Sequence, residues 1–153
     1  MSRFNAQQHF TSLQPLFALS KQLRAGTLEA RLRELVQMRV SQINGCAYCM
    51  DMHGKDARTA GETEQRLYVL PAWREASFYS ERERAALAWA EALTRLTARD
   101  QSVPDELYEQ ARAQFDEKEL VDLTLVVTLI NTWNRINIAA RPEVGDYKPG
   151  MFN

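Results

Sequence analysis

Cysteine, histidine and long apolar runs are all scarce in this chain. Its 153 residues include two cysteines and two histidines. Residues 124–130 are apolar but far too few to span a bilayer, and residues 1–8 have no apolar signal-peptide core. We therefore expect no membrane partner, and a cytoplasmic location is the default. In a reducing compartment, two cysteines indicate a redox-active pair or metal ligands rather than a structural staple.

An excess of charge of either sign is also missing. The chain has 19 basic and 20 acidic residues, which gives a formal net charge of −1. This balance predicts no nucleic-acid partner. The six glycines are scattered and form neither a G-x-G-x-x-G nor a Walker pattern. Nothing therefore indicates a nucleotide, flavin or haem site, and we expect no cofactor.

The apolar residues that are present recur at helical spacing. Capping boxes begin at Ser80 and Asp116, each with a glutamate three residues later, and Pro104 suits a first helical turn. No alternating strand pattern competes, so we predict an all-α fold in one domain, residues 1–153. The predicted helices cover about residues 10–24, 28–44, 46–60, 62–70, 80–98, 104–115 and 116–140. Residues 143–153 are either a tail or an arm that packs on a neighbouring subunit.

Most side chains capable of redox or metal chemistry lie in one segment. Cys46 and Cys49 are three residues apart, and His53 follows four residues after the second cysteine. On a helix that turns by about 100° per residue, these three side chains face the same way. Cys49 and His53 are separated by about 6 Å along the helix axis, which makes them natural partners.

Glu34 joins this cluster if the helices on either side of Gly45 form an antiparallel hairpin. Residues equally far from the turn then meet, and Glu34 lies 11 residues before Gly45. The count places Glu34 beside residues 53–56. This predicts an acid–base–thiol order of Glu34, His53 and Cys49, which can remove a proton from a nucleophile. A buried Glu34 carboxylate would also need such a partner.

Two alternatives remain open at this point. The start of a helix lowers the pKa of a thiol and favours Cys46 as the thiolate, whereas His53 favours Cys49. The second alternative is a metal site in which Glu34, Cys46, Cys49 and His53 supply the four ligands that a closed zinc site requires. We interpret His9 as a surface or interface residue rather than a ligand, and the tryptophans as core or subunit contacts. A last polar group is predicted to line a pocket or a subunit boundary: Asn131, Asn134, Arg135 and Asn137.

The segment 42–53, Q-I-N-G-C-A-Y-C-M-D-M-H, resembles the core motif of the alkylhydroperoxidase AhpD-like proteins of the carboxymuconolactone decarboxylase superfamily. Residues 60–67, 81–89 and 131–135 are similar to stretches of its small single-domain members. The likeness covers about residues 28–141. It implies an all-α fold with the cysteine pair at the start of a helix, and assembly as a homotrimer or homohexamer.

The resemblance also implies roles for the four residues. Cys49 would be the peroxidatic cysteine, Cys46 would resolve its sulfenic acid as a disulfide, and His53 with Glu34 would relay protons. The implied activity is a hydroperoxide reductase that needs an external dithiol and no metal. Tyr48 stands where the well-studied AhpD enzyme has a histidine, and that enzyme is about two copies of this core long. The alternative is a thiol–disulfide adaptor or redox sensor with little peroxide turnover.

Overall fold

The computed structural model describes residues 2–96 and 103–152, and in that part of the chain the regular structure is entirely helical. This confirms the predicted all-α class. None of these helices is long and apolar enough to cross a membrane. Short 3₁₀ turns precede α1 and follow α4. The helices are α1 (Phe10–Arg24), α2 (Ala30–Asn44), α3 (Ala47–Thr59), α4 (Glu64–Val69), α5 (Glu81–Thr94), α6 (Asp105–Arg112) and α7 (Glu117–Ala140).

The helix starts follow the caps read from the sequence. Ser80 accepts a hydrogen bond from the backbone N–H of Glu83, and the Glu83 side chain accepts one from the Ser80 N–H. Asp116 and Glu119 make the same reciprocal pair at the start of α7. Each box satisfies backbone donors that the first helical turn would otherwise leave free.

Two helices end three or more residues before the predicted position, while the other ends lie within two residues of it. Helix α5 stops at Thr94 because Arg95 leaves the helical conformation, whereas the sequence predicted helix to about Ala98, a residue outside the described part of the chain. Helix α6 stops at Arg112 rather than near Phe115. Phe115 instead turns into the core, where it is fully buried.

Helix α2 lies between two apolar clusters. Leu32 and Val36 pack in the larger cluster with residues of α5 and α7. Leu35 packs in a second cluster with residues from α3 to α5. Because apolar neighbours cover both sides of α2, even its charged residues Arg33 and Glu34 are buried.

Gly45 joins α2 to α3. Its φ of 70° lies in the left-handed region, which glycine adopts without steric penalty. A Cβ at this position would meet nothing within 4 Å, so backbone conformation alone favours glycine here. Close pairs at the turn, between Ser41 and Cys46, and farther from it, between Glu34 and His53, show that the two helices run antiparallel.

The segment after α7 packs on its own chain. The Lys55 ammonium on α3 donates hydrogen bonds to the backbone oxygens of Gly145 (2.7 Å) and Tyr147 (3.1 Å). The ring of Phe152 lies 6.2 Å from that of Phe17 on α1. The segment thus lies over α1 and α3 of its own chain, and packing on a neighbouring subunit stays a prediction.

Candidate active site

A disulfide joins Cys46 and Cys49 at the start of α3, with a Cα–Cα distance of 5.3 Å. Cys46 is the N-cap residue, and its Sγ accepts a hydrogen bond of 3.3 Å from the backbone N–H of Cys49. Both cysteines are almost fully buried. The helix start therefore supplies a donor to the sulfur of the first cysteine.

The second cysteine has a donor of its own. Asn137, on α7, points its Nδ2 at the Sγ of Cys49 over 3.5 Å. A hydrogen bond to sulfur favours the charged thiolate over the thiol. Because each sulfur has one such donor, this geometry leaves open which cysteine is the thiolate, as the sequence did.

Glu34 and His53 form a buried pair. The Nδ1 of His53 lies 2.8 Å from Oε2 of Glu34, and both residues are buried. The count from Gly45 predicted this contact. With Glu34 ionised, Nδ1 carries the hydrogen of the bond and Nε2 is left as the proton acceptor. Nε2 makes no protein hydrogen bond in the described part of the chain.

Asp56 and Tyr147 extend the pair toward the C-terminal segment. The Tyr147 hydroxyl donates to the Asp56 carboxylate, with 2.9 Å to either oxygen. Burial raises the pKa of the Asp56 carboxyl, and the nearby Glu34 charge raises it further against the opposing Tyr147 hydrogen bond. Burial and the Asp56 contact also raise the pKa of Tyr147. The hairpin count points to residues 53–56, which include Asp56. No pattern in the sequence marks Asp56 or Tyr147 as a site residue.

The structure gives a different set of possible metal ligands from the one the sequence suggested. Side-chain donor atoms of Glu34, His53 and Asp56 lie within 4.8 Å of one another. Cys46 and Cys49 are absent from this group because their sulfurs are bonded to each other. In this oxidised form, the four-ligand site of Glu34, Cys46, Cys49 and His53 is not assembled.

A cavity of about 1150 Å³ opens beside the pair. Glu34, His53 and Asn137 line it, while neither cysteine does. The half-buried Tyr48 also reaches it. Most of the remaining wall is apolar and comes from α1, α7 and the C-terminal segment. The volume exceeds the range of about 300–1,000 Å³ that small-molecule sites commonly have.

The polar residues of α7 have divided roles. Asn134 is fully buried and donates to the Ser41 hydroxyl, while Asn44 donates to the side-chain oxygens of both Asn131 and Asn134. These bonds tie α7 to the end of α2.

Of the group expected to line a pocket, Asn137 does so, together with Trp133, which was expected in a core or subunit contact. Trp73 and Trp89 are buried in the core as predicted, and His9 is exposed as predicted.

This arrangement of helices, with a cysteine pair opening one of them, is the AhpD-like fold. The chain belongs to the carboxymuconolactone decarboxylase family, which its sequence matches over residues 12–92. It is 50% identical over 121 residues to the uncharacterized protein YdfG of Bacillus subtilis (strain 168), covering 79% of this chain and 81% of YdfG.

Solved structures agree with this assignment. A protein of unknown function from Agrobacterium tumefaciens, for which an AhpD antioxidant-defence role has been suggested, superposes with a TM-score of 0.88 at 36% identity. That match covers 96% of this chain and all of the other. The debrominase Bmp8 has the same fold, with a TM-score of 0.77 at 22% identity over 91% of this chain and 74% of Bmp8. Family and fold are thus settled, while of the three named relatives one is a debrominase and two have no assigned activity.

Proposed function

We propose that this protein is a thiol-dependent hydroperoxide reductase that cycles through the Cys46–Cys49 disulfide. The observation that carries the proposal is the position of that disulfide, one helical turn before the buried Glu34–His53 pair. A thiol, a base and an acid that orients the base are the parts that an activated nucleophile requires.

The proposed cycle has three steps. The thiolate of Cys49 attacks the O–O bond of the hydroperoxide, which gives a Cys49 sulfenic acid and, after one proton is added, an alcohol or water. The thiol of Cys46 condenses with the sulfenic acid, forms the disulfide and releases water. An external dithiol then reduces the disulfide and is itself oxidised to a disulfide.

His53 is proposed to move the proton in the first step. Its Nε2 accepts the proton of the Cys49 thiol and returns it to the leaving oxygen. The Glu34 carboxylate, bonded to Nδ1, holds the ring and stabilises the imidazolium that forms between the two transfers. Asn137 supports the choice of Cys49, because its amide contacts that sulfur and also lines the cavity through which a substrate would arrive.

A second candidate is a thiol–disulfide adaptor with little peroxide turnover. The N-cap position of Cys46 favours it, because a backbone N–H and the helix start lower the pKa of a thiol that attacks disulfides. For either function we propose a cytoplasmic location, where dithiol reductants are available. On the family resemblance we also propose a homotrimer or homohexamer, which light scattering would contradict by finding a monomer.

The test is intact mass and thiol counting after one equivalent of cumene hydroperoxide is added to the reduced protein. The wild type should lose both thiols and about 2 Da, Cys46→Ser should gain about 16 Da as a sulfenic acid, and Cys49→Ser should not react. The reverse pattern in the two variants would assign the attack to Cys46. If both thiols stay free with peroxide but oxidise with a disulfide partner, the adaptor replaces the peroxidase.

A further inference from the structure

Arg33 is a buried cation without a hydrogen-bond partner. It is 7% exposed and lines the cavity beside Glu34 and His53. Its Nε lies 3.6 Å from Oε1 of Glu34, which makes an ion pair but exceeds hydrogen-bond length. Among the buried side-chain nitrogen and oxygen atoms of the described residues, this Nε is the one with no hydrogen bond.

The donors of Arg33 require acceptors that the neighbouring side chains do not supply. An arginine side chain carries five N–H donors in a planar fork, and a buried donor without an acceptor destabilises the protein. The ion pair with Glu34 offsets part of this cost through its charge, but at 3.6 Å it supplies no hydrogen bond. None of the Arg33 donors makes a hydrogen bond to a described residue. The Nε is enclosed by protein, whereas the two terminal nitrogens are accessible, so an acceptor arriving in the cavity can bind those two.

The rest of the cavity defines the body of such a ligand. Much of the remaining lining is apolar and comes from α1, α7 and the C-terminal segment. It includes Leu13, Phe17, Leu129, Trp133 and Phe152. A buried guanidinium in a cavity whose lining is largely apolar matches an amphipathic molecule with a single negative charge.

We propose that the cavity binds the carboxylate of an acyl-chain ligand, with the carboxylate on the Arg33 guanidinium and the chain along the apolar wall. A planar guanidinium holds a carboxylate through two parallel hydrogen bonds. Since Asn137 lines the same cavity and contacts Cys49, the class of substrate would be hydroperoxides that carry a carboxylate. Only this last step depends on the proposed function.

The charges around Arg33 favour a monoanion over a dianion. Arg33 is buried, and the exposed Arg24 and Lys21 also line the cavity. The carboxylates of Glu34 and Asp56 lie close to Arg33, and the charge of Arg24 acts on Asp56. A phosphate, with up to two negative charges, would be repelled by those carboxylates more strongly than a carboxylate would. The expected class of ligand is therefore carboxylic acids with an apolar chain.

The test is calorimetric titration of the oxidised protein with decanoate and with decanol, which has the same chain length and no charge. The wild type should bind decanoate in a saturable manner and decanol at least about tenfold more weakly. Arg33→Met, which keeps the apolar stem, should weaken decanoate binding about ten- to a hundredfold and leave decanol unchanged. Arg33→Lys should restore part of the loss. Arg58→Met, at an exposed cation outside the cavity, is the matched control and should bind as the wild type does.

Three results would overturn the proposal. They are no saturable binding of decanoate, equal binding of decanoate and decanol by the wild type, or unchanged decanoate binding by an Arg33→Met protein with a native near-ultraviolet circular dichroism spectrum. The comparison of the two ligands needs no variant, so it decides even if Arg33→Met fails to fold. Because the oxidised protein is used without peroxide, the outcome is independent of whether the protein turns over hydroperoxides.

Discussion

Replacing Glu34 by glutamine removes the negative charge of the buried pair while keeping the size of the side chain and an oxygen that can accept from His53. Glutamine keeps an acceptor oxygen in the position of the 2.8 Å contact with Nδ1 of His53. What it removes is the attraction between a carboxylate and the imidazolium that, in the proposed cycle, forms when His53 takes up the thiol proton. Such a change acts on the transition state more than on the resting protein.

The expected size follows from the hydrogen bond. A hydrogen bond to a charged group contributes about 1.5–3 kcal/mol and a neutral one about 0.5–1.5 kcal/mol. The difference of about 1–1.5 kcal/mol corresponds to a rate about five- to tenfold lower. Replacing His53 by glutamine removes the base itself, and the loss should reach about 10²- to 10⁴-fold.

The assay is single-turnover oxidation of the reduced protein by cumene hydroperoxide at pH 7, quenched with an alkylating agent and followed as the fraction of free thiols. Glu91→Gln is the matched control. Glu91 is also a buried carboxylate, which accepts from Arg39 (2.7 Å) and Trp73 (3.0 Å), but it does not line the cavity. This variant should lose stability and keep the oxidation rate.

The reasoning fails if Glu34→Gln oxidises within twofold of the wild-type rate. It also fails if Glu34→Gln and Glu91→Gln slow the reaction equally, since the effect would then come from general loss of packing. Near-ultraviolet circular dichroism establishes that each variant is folded before its rate is compared.

Two further predictions concern stability. Because the folded-state pKa of Asp56 is raised, the native state binds its proton more tightly, and the wild type loses stability as the pH rises through that pKa. Asp56→Asn, which still accepts from Tyr147, should therefore be more stable than the wild type at pH 7 but not near pH 3; urea unfolding that finds no difference between the two pH values would contradict this. Gly45→Ala should destabilise the protein by about 1–2 kcal/mol because alanine is strained at φ 70°. Gly54→Ala, inside α3 and with no atom within 4 Å of the added Cβ, should stabilise it by about 0.5–1 kcal/mol; thermal melts of equal sign for the two glycine variants would refute the argument.

The contacts that the sequence predicted well depend on regular geometry. Both helices next to Gly45 rise by the same amount per residue, so counting outward from the turn places Glu34 beside His53. The capping boxes at Ser80 and Asp116 are equally local, because both partners lie within one turn of helix. In each case the interacting residues are related by a fixed spacing that the chain itself displays.

The contacts that the sequence did not predict join distant segments. Asn137 meets Cys49 across 88 residues, and Tyr147 meets Asp56 across 91. These pairs depend on how α7 crosses α3 and how the C-terminal segment turns back, and no local pattern specifies either. Arg33 was overlooked for another reason. Arg33 lies among other charged residues at the start of α2, so its sequence position suggests a solvated side chain. It is buried because apolar clusters pack on both sides of α2.

The disulfide closes a very small ring, since its two cysteines are three positions apart. In the chain-entropy treatment, a loop of about four residues contributes only about 2 kcal/mol to stability. That is a minor share of the roughly 5–15 kcal/mol that holds a typical domain together. Helices α2 and α3 are held together by their packing and by the turn at Gly45. Reduction of the disulfide should therefore leave the fold intact. In the proposed cycle, the protein would therefore accept and return two electrons at this position with little change in the stability of its folded state.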